Sequence, residues 1–254
     1  MGDKLIKVKN ENGIIEIKLD RPPMNVLTNP MMWDLVSALG QAKEEQGSLI
    51  LISAEGKAFS AGVDVSDHTP DKVDEMIEVF GKIFKTMAEI DKPIVAAVNG
   101  VALGGGCELV LGCDLVLASE KAKFGQPEIT VGVFPTIACY YLPRLLSWPH
   151  AMELLLRGEI IDASRAERIG LVNKVLPLEG FDGAVKEYLK KFLELSPIVL
   201  KLTKKAAKTG LGKDLVNGLK GIDSIYLQEL MQTVDAKEGL RAFMEKQKPV
   251  WQGK

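Results

Sequence analysis

The sequence predicts an α/β fold that ends in a purely helical region. Up to about Leu195, short runs rich in β-branched residues alternate with longer segments whose apolar residues have helical spacing. Beyond that point the apolar residues keep helical spacing and no strand-like run occurs. We therefore divide the 254-residue chain into a predicted α/β core, residues 1–195, and a predicted helical region, residues 196–254.

Five segments are predicted to be strands because they are short, rich in β-branched residues and bounded by Gly, Pro or Asn. Several of them are apolar throughout, which is typical of strands buried on both faces. The predicted strands are Gly13–Leu19, Ser48–Ser53, Pro93–Val98, Asp114–Ala118 and Leu171–Leu176.

Helix boundaries are marked by Pro and Gly. Pro is favoured in the first helical turn, and Gly is favoured just beyond the last. The predicted starts are Asn29-Pro30, Thr69-Pro70, Trp148-Pro149 and Ser196-Pro197. The predicted ends are Gly158, Gly170 and Gly210.

The helical region carries two further patterns. An apolar face that includes Leu215, Leu219 and Ile225 is broad enough to need a partner that buries it. A row of lysines on another helix indicates a solvated face, with phosphate binding as the alternative. The row consists of Lys201, Lys204, Lys205 and Lys208.

Composition is that of a globular protein, with 46% hydrophobic and 26% charged residues. The net charge of −2 argues against general affinity for nucleic acid or anionic membranes. Cys107, Cys113 and Cys139 have neither disulfide nor metal-ligand spacing, which indicates free thiols in a reducing compartment. The first residues lack the apolar segment of a secretory signal, and no apolar run is long enough to cross a bilayer. We expect a cytoplasmic protein without a membrane partner.

Two glutamates stand in unusual local contexts. Glu108 follows three glycines in LGGGCE, and Glu128 ends the run KFGQPE. Singly, each is ordinary, because acids are favoured in the first turn of a helix and are common in exposed loops. Together with the Gly-rich turn in GKAFSAGVD, they indicate an acid/base pair beside backbone N–H donors. Such a site suits a carbonyl compound whose oxygen gains negative charge.

Other kinds of site are disfavoured. LGGGCE lacks the G-x-G-x-x-G spacing of dinucleotide-binding loops, so its glycines could equally serve a turn that requires positive φ. His68 and His150 are the only histidines and lie in different segments, which argues against a zinc site or a Ser-His-Asp triad. We predict no metal site.

Three segments resemble the enoyl-CoA hydratase/isomerase (crotonase) superfamily. They read AFSAGVD, NGVALGGGCELVLGCDLVLASEKAKFGQPE and IGLVNKV. The resemblance extends from about Gly13 to Lys248 and is densest over residues 99–128. It implies a crotonase-like spiral of ββα turns, followed by C-terminal helices that build a homotrimer, often paired into a hexamer.

The resemblance also implies roles for individual residues. Glu108 and Glu128 match both catalytic glutamates of the family's hydratases, and the N–H groups of Val63 and Gly105 match the two donors of its oxyanion hole. Lys246 matches a lysine that reaches the coenzyme A phosphates of a neighbouring subunit. The remaining residues implied to bind coenzyme A are Val26, Ala61, Gly62 and Asp64. Coenzyme A is then part of the substrate, and no further cofactor is expected.

The implied activity is the addition of water to an α,β-unsaturated acyl-CoA. Glu108 would activate the water and Glu128 would transfer a proton to the α-carbon. Retention of both acids favours hydration over double-bond isomerisation, which needs one base. The alternatives are an isomerase or a C–C hydrolase of the same fold, or a non-catalytic relative that binds acyl-CoA or RNA.

Two segments depart from the common hydratase pattern. RPPMNVL lacks a lysine often found there, so one contact to a coenzyme A phosphate is in doubt. The stretch VFPTIACYYLPRL is bulkier than usual and should reshape the acyl pocket. The predicted pocket residues are Phe134, Thr136, Ile137 and Tyr140. PPMNVL and VGVFPTIA resemble the cyclic-dienoyl-CoA hydratases of anaerobic aromatic degradation, which suggests a cyclic dienoyl substrate.

Overall fold

The computed structural model describes residues 5–254, which form two β-sheets surrounded by helices. The strands of these residues are β1 (Ile6–Glu11), β2 (Ile14–Leu19), β3 (Leu49–Ala54), β4 (Ala58–Ser60), β5 (Ile94–Val98), β6 (Val101–Leu103), β7 (Leu115–Ser119), β8 (Lys123–Gly125), β9 (Ile160–Asp162) and β10 (Lys174–Leu176). The larger sheet has the order β1-β2-β3-β5-β7-β10, and the smaller has the order β4-β6-β8-β9.

The helices lie around and beyond these sheets. They are α1 (Asn29–Glu44), α2 (Val73–Glu89), α3 (Gly105–Leu111), α4 (Thr136–Leu145), α5 (Trp148–Arg157), α6 (Ala163–Arg168), α7 (Phe181–Leu193), α8 (Pro197–Gly210), α9 (Leu215–Gln228) and α10 (Val234–Met244). Short 3-10 helices occur at Val65–His68, Pro127–Val131 and Leu230–Gln232.

The chain winds as a spiral of ββα turns. In each of the pairs β3–β4, β5–β6 and β7–β8, the first strand joins the larger sheet and the second joins the smaller one. A helical segment follows each pair. After the first two pairs it returns the chain to the larger sheet, whereas after β7–β8 the chain first adds β9 to the smaller sheet and reaches β10 through α6. Pairing between successive turns is parallel in both sheets, as between β3 and β5 and between β4 and β6. This is the predicted crotonase-like spiral.

Both faces of the larger sheet are buried, as its apolar strands predict. On one face, Ile50, Ile52 and Ile94 join a core that includes α1 and α2. On the other face, Leu49, Leu51, Val95 and Leu117 pack against α7. Because side chains alternate along a strand, a single run such as LILISA supplies both cores.

All five predicted strands lie in the larger sheet, but one boundary was wrong. The predicted strand Leu171–Leu176 pairs only from Lys174 onward, because the N–H groups of Leu171 and Val172 donate to the carbonyl of Ala166 in α6. The strands not predicted are β1, which is exposed along one edge, and the three-residue strands β4, β6, β8 and β9. Segments of three residues are too short to show a periodic pattern.

Three of the four predicted helix starts are confirmed, and Thr69-Pro70 was wrong. The carbonyl of Thr69 accepts from both Lys72 and Val73, forming a turn that delays α2 until Val73. Among the predicted helix ends, Gly158 and Gly170 have positive φ beyond α5 and α6. Gly210 is instead the last residue of α8, and the left-handed position falls at Gly212.

The predicted solvated lysine face was wrong for Lys204 and Lys208, because α8 uses these two side chains to dock onto the core. Lys204 Nζ lies 2.5 Å from Asp114 Oδ2 and 3.0 Å from the carbonyl oxygen of Lys92, and its side chain is only 13% exposed. Lys208 pairs with Asp91 at 2.8 Å. Lysines that appear solvent-facing by spacing therefore hold the helical region to the sheet.

The helical region also leaves large apolar side chains exposed on the single chain. The most exposed are Leu211, Leu215, Val216, Leu227, Phe243, Met244 and Val250. None of the helices in the described part of the chain is both long and apolar enough to span a membrane.

We expect Lys204→Met to lower the free energy of unfolding by about 1–3 kcal/mol, because it removes charge-assisted bonds from a shielded position. Thermal unfolding at fixed protein concentration measures the change. Lys201→Met, at an exposed position on the same helix, is the matched control. Equal effects of the two substitutions would show that Lys204 does not dock α8.

Candidate active site

Glu108 is a buried carboxylate in the first turn of α3, where it is only 3% exposed. Its Oε1 accepts hydrogen bonds from the backbone N–H groups of Ile137 and Ala138, each at 2.8 Å. These amides belong to the first turn of α4, where N–H groups lack partners within the helix. The start of α4 therefore holds one oxygen of Glu108 in place.

Burial, together with the negative charge of Glu128, raises the pKa of Glu108 to about 7. The two amide bonds oppose this rise because they favour the ionised form. A carboxyl with a pKa near neutrality can both accept and release a proton at physiological pH.

Glu128 lies in the 3-10 helix Pro127–Val131 and is partly buried. Burial raises its pKa, and the charge of His68 lowers it. Gln126 is 1% exposed, and with its amide nitrogen turned toward Glu128 it lies 3.3 Å from both carboxylate oxygens. Gln126, two residues earlier in the chain, therefore orients the Glu128 carboxylate.

Glycines let the turns after β4 and β6 come together. Gly62 has φ +105°, and a Cβ there would lie 2.9 Å from the carbonyl oxygen of Leu103. Gly104 has φ +51°, and a Cβ there would lie 2.7 Å from Oε1 of Glu128. The glycines predicted to permit a turn thus also make room for the carboxylate.

The N–H groups of Val63 and Gly105 are brought close by the same contact. Leu27 N–H donates to the Gly62 carbonyl at 2.8 Å, and Asp64 N–H donates to the Leu27 carbonyl at 2.9 Å. In this parallel pairing the intervening Val63 N–H faces away from Leu27. Gly105 is the first residue of α3, whose first amides have no acceptor within the helix. A Cβ on Gly105 would lie 3.2 Å from Val63 N, so the two amides belong to backbone segments in contact.

The residues predicted to bind coenzyme A lie on two hydrogen-bonded loops. Ala61 N–H donates to the Met24 carbonyl at 2.9 Å, and the Val26 carbonyl accepts from Arg21 at 3.0 Å. The Asp64 carboxylate accepts from the backbone and the hydroxyl of Ser66, which lowers its pKa. The backbone at these positions is therefore ordered next to the Val63 amide.

Sequence reasoning missed the buried residues that hold these loops. Asn25, at φ +48° and 0% exposed, donates from its side chain to the carbonyls of Glu55 and Ala58. The Ser60 hydroxyl donates to the Asn25 carbonyl at 2.8 Å and accepts from Gly62 N–H at 3.2 Å. The signal for Asn25 was its place after PPM, since Asn tolerates positive φ better than most residues.

Only some of the predicted acyl-pocket residues lie next to the two glutamates. Thr136 and Ile137 begin α4, and the Ile137 amide contacts Glu108 directly. Phe134 is 67% exposed. Tyr140 is 55% exposed, and the Arg144 guanidinium stacks 3.8 Å from its ring centroid. Ile137 thus lies next to Glu108, whereas the side chains of Phe134 and Tyr140 lie on the open surface.

Lys246 lies just after α10, at φ +56°. Its backbone N–H donates to the Phe243 carbonyl at 3.2 Å, and its role at the coenzyme A phosphates of a neighbouring subunit stays a prediction. No group of three or more His, Cys, Asp or Glu side chains in residues 5–254 is arranged to hold a metal ion.

Comparison with known proteins places these features in a family. Residues 9–254 match the family model described as enoyl-CoA hydratase/isomerase. The chain is 32% identical to cyclohexa-1,5-dienecarbonyl-CoA hydratase from Thauera aromatica, over 97% of this chain and 96% of the relative. It is 35% identical to crotonyl-CoA hydratase from Syntrophomonas wolfei, over 96% of each protein. A crystal structure of enoyl-CoA hydratase from Bacillus anthracis superposes with a TM-score of 0.93, at 31% identity and covering 98% of this chain and 100% of that one.

We expect Glu108→Gln to remove a pH-dependent destabilisation. Because the pKa of Glu108 is about 7 in the folded chain and 4.5 for an unperturbed glutamate side chain, the folded state binds more protons between these pH values. The stabilisation by the protonated group is complete below pH 4.5 and is lost as pH rises through 7. Gln stays neutral and can keep its oxygen on the two amides. The variant should therefore gain stability relative to wild type as pH rises, by up to about 3 kcal/mol.

Chemical denaturation at fixed protein concentration measures this difference in the free energy of unfolding. The series runs over about four pH units, from pH 4.5 to 8.5, so that it includes both pKa values. Glu120→Gln, at an exposed carboxylate, is the control. A Glu108→Gln difference that does not change with pH would contradict the raised pKa.

Proposed function

The chain belongs to the enoyl-CoA hydratase/isomerase family, and we propose that it adds water across the α,β double bond of an acyl-CoA thioester. The observation that carries this proposal is the meeting of two carboxylates with two backbone amides. Glu128 lies against Gly104, and Glu108 is held by α4 on the helix that Gly105 begins. Hydration needs an acid, a base and donors for an oxyanion, and this arrangement can supply all three.

In the proposed reaction, the thioester oxygen binds between the N–H groups of Val63 and Gly105. Negative charge develops on that oxygen when the double bond is attacked. Fixed amides stabilise this charge without having to reorient, and loss of one such donor commonly slows a reaction by about 10²–10³-fold. Here both donors are backbone groups, fixed by glycine turns rather than by side-chain rotamers.

The two glutamates then divide the proton transfers. Glu108 takes a proton from the water as its oxygen bonds to the β-carbon. Glu128 gives a proton to the α-carbon as the enolate collapses to the thioester. The pKa of about 7 supports Glu108 as a group that exchanges a proton near neutral pH, and burial also raises the pKa of Glu128.

Binding of coenzyme A is assigned to the loops that carry the Val63 amide. We place the coenzyme along Val26, Ala61, Gly62 and Asp64, as a part of the substrate and with no added cofactor. The exposed apolar side chains of the helical region support a homotrimer or a hexamer, in which Lys246 would approach a neighbouring subunit's coenzyme A. The three free thiols support a cytoplasmic location.

The acyl group is the finer part of the proposal, and we favour a cyclic dienoyl group. Ile137 offers apolar surface next to Glu108, Thr136 begins the same helix, and Phe134 and Tyr140 add exposed aromatic surface on the flanking residues. The similarity to the Thauera aromatica cyclohexa-1,5-dienecarbonyl-CoA hydratase supports the ring. The similarity to the Syntrophomonas wolfei crotonyl-CoA hydratase makes the straight chain the natural competitor.

We expect Glu108→Gln and Glu128→Gln each to lower the rate of hydration by about 10²–10⁴-fold, because each removes one proton transfer. Mass spectrometry of the acyl-CoA product detects the gain of one water, and Glu120→Gln is the control at an exposed position. A product of unchanged mass with a shifted double bond would replace hydration by isomerisation. Full activity in either variant would remove that glutamate from the mechanism.

We expect a higher kcat/KM for cyclohexa-1,5-diene-1-carbonyl-CoA than for crotonyl-CoA. Apolar pockets discriminate by fit, at about 1–3 kcal/mol per methylene, so a pocket shaped for a ring should be clearly selective. Competition of both substrates in one reaction measures the ratio directly. Faster turnover of crotonyl-CoA would still support hydratase activity but would contradict the cyclic dienoyl substrate.

A further inference from the structure

Ser60 is a fully buried residue between the two backbone segments that carry the proposed oxyanion donors. It is the last residue of β4 and precedes the Val63 amide by three residues. A Cβ on Gly106 would lie 2.7 Å from Cβ of Ser60 and 2.4 Å from its carbonyl oxygen. Ser60 therefore packs directly against the start of α3, where Gly105 carries the second proposed donor.

The Ser60 hydroxyl is the middle member of a chain of hydrogen bonds. It accepts from the N–H of Gly62 at 3.2 Å and donates to the carbonyl of Asn25 at 2.8 Å. Asn25 is also fully buried, and its side chain donates to the carbonyls of Glu55 and Ala58 at 2.9 and 2.8 Å. These bonds hold Asn25 in place, which fixes the direction in which the Ser60 hydroxyl donates and leaves its oxygen to accept from Gly62.

The same chain of hydrogen bonds reaches the peptide that carries the first proposed donor. A peptide unit is planar, so the Gly62 carbonyl and the Val63 N–H belong to one rigid group. Leu27 N–H binds the Gly62 carbonyl at 2.8 Å, and the Ser60 hydroxyl binds the Gly62 N–H on the other side of the same Cα. Gly62 has φ +105°, and glycine rotates more freely than other residues. The Ser60 hydroxyl therefore restricts a rotation that would move the Val63 N–H.

We propose that Ser60 is a positioning residue, which holds the Val63 amide at the distance from the Gly105 amide that a thioester oxygen requires. The inference rests on the proposed acyl-CoA hydratase function and adds a residue that acts on the oxyanion through the backbone. Without the hydroxyl, the Gly62 N–H would lose its acceptor in a buried position, which is costly. The turn would shift to regain an acceptor and would carry the Val63 amide with it.

Binding of two unreactive ligands tests this role without relying on turnover. Butyryl-CoA has a thioester oxygen, whereas S-butyl-CoA is a thioether that lacks this oxygen and keeps the coenzyme and the alkyl chain. Isothermal titration gives the ratio of their two dissociation constants, which measures what the oxygen contributes to binding. Ser60→Ala should lower the preference for the thioester by about three- to tenfold, as expected for one weakened hydrogen bond, and should leave the affinity for the thioether unchanged.

Two further measurements report on the thioester oxygen itself. Hydrogen bonds lower the stretching frequency of a carbonyl, so the infrared band of bound, isotope-labelled butyryl-CoA should move toward that of the free ligand in Ser60→Ala. The kcat/KM for hydration should fall by about ten- to hundredfold. This is a larger change than that in thioester affinity, because the oxygen carries more charge in the transition state than in the ground state.

Ser119→Ala is the matched control. Ser119 is likewise fully buried, and its hydroxyl donates to the carbonyl of Asn99 at 2.7 Å, but it lies in β7 of the larger sheet. This variant should leave the ligand ratio and kcat/KM unchanged, whatever its effect on thermal unfolding. Ser60→Cys keeps a side chain that donates and accepts weakly, so its thioester preference should fall between those of wild type and Ser60→Ala.

The proposal would be overturned if Ser60→Ala left the ligand ratio unchanged or weakened both ligands equally. Equal weakening would show that Ser60 merely supports the fold. Should Ser60→Ala fail to fold, Ser60→Cys provides the same comparison. If no acyl-CoA gained water, the proposed function would be contradicted, whereas the ligand ratio would still decide whether Ser60 positions the amides.

Discussion

The candidate site depends on close contact between two segments, Ser60–Val63 at the end of β4 and Gly104–Gly106 at the start of α3. A Cβ on Gly106 would lie 2.4 Å from the Ser60 carbonyl oxygen, and one on Gly105 would lie 2.7 Å from Cγ2 of Val63. Side chains at these positions would push the turns apart and separate the two amides of the proposed oxyanion hole. The spiral places consecutive turns of the smaller sheet next to each other, and the glycines allow them to touch.

Glu108 adds a second constraint, because the buried carboxylate that suits the proposed proton transfer also lowers the stability of the folded chain. Its near-complete burial raises the pKa of the carboxyl and makes the ionised form costly. The first-turn amides of α4 offset part of this cost by binding one oxygen and leave the other available. The position of α4 is thereby tied to the protonation of Glu108. A substitution in α4 that reshaped the acyl end would therefore also change the hydrogen bonds of Glu108, the proposed base.

The sequence predicted features that depend on local pattern and missed those that depend on distant partners. The buried strands of the larger sheet were visible because apolar runs bounded by turn residues are a local signal. The three-residue strands of the smaller sheet exist through pairing between successive turns, which leaves no periodicity in so short a segment. The two glutamates were found through their Gly-rich contexts, and their assigned roles remain predictions. Lys204 was misread because only the fold brings Asp114 within its reach.

The two ends of the candidate site are built from different kinds of atoms. The thioester end that we propose consists of backbone N–H groups, which any residue other than proline can supply and which depend on the glycine turns. The acyl end that we propose consists of side chains, including that of Ile137. Substitutions at the acyl end can therefore change the substrate while the oxyanion donors stay in place. That separation fits identities of 31–35% that coincide with a superposition at a TM-score of 0.93 and with relatives named for both a cyclic and a straight-chain substrate. In the mechanism that we propose, the fold and the glycines constrain the reaction, whereas side chains of α4 choose the acyl group.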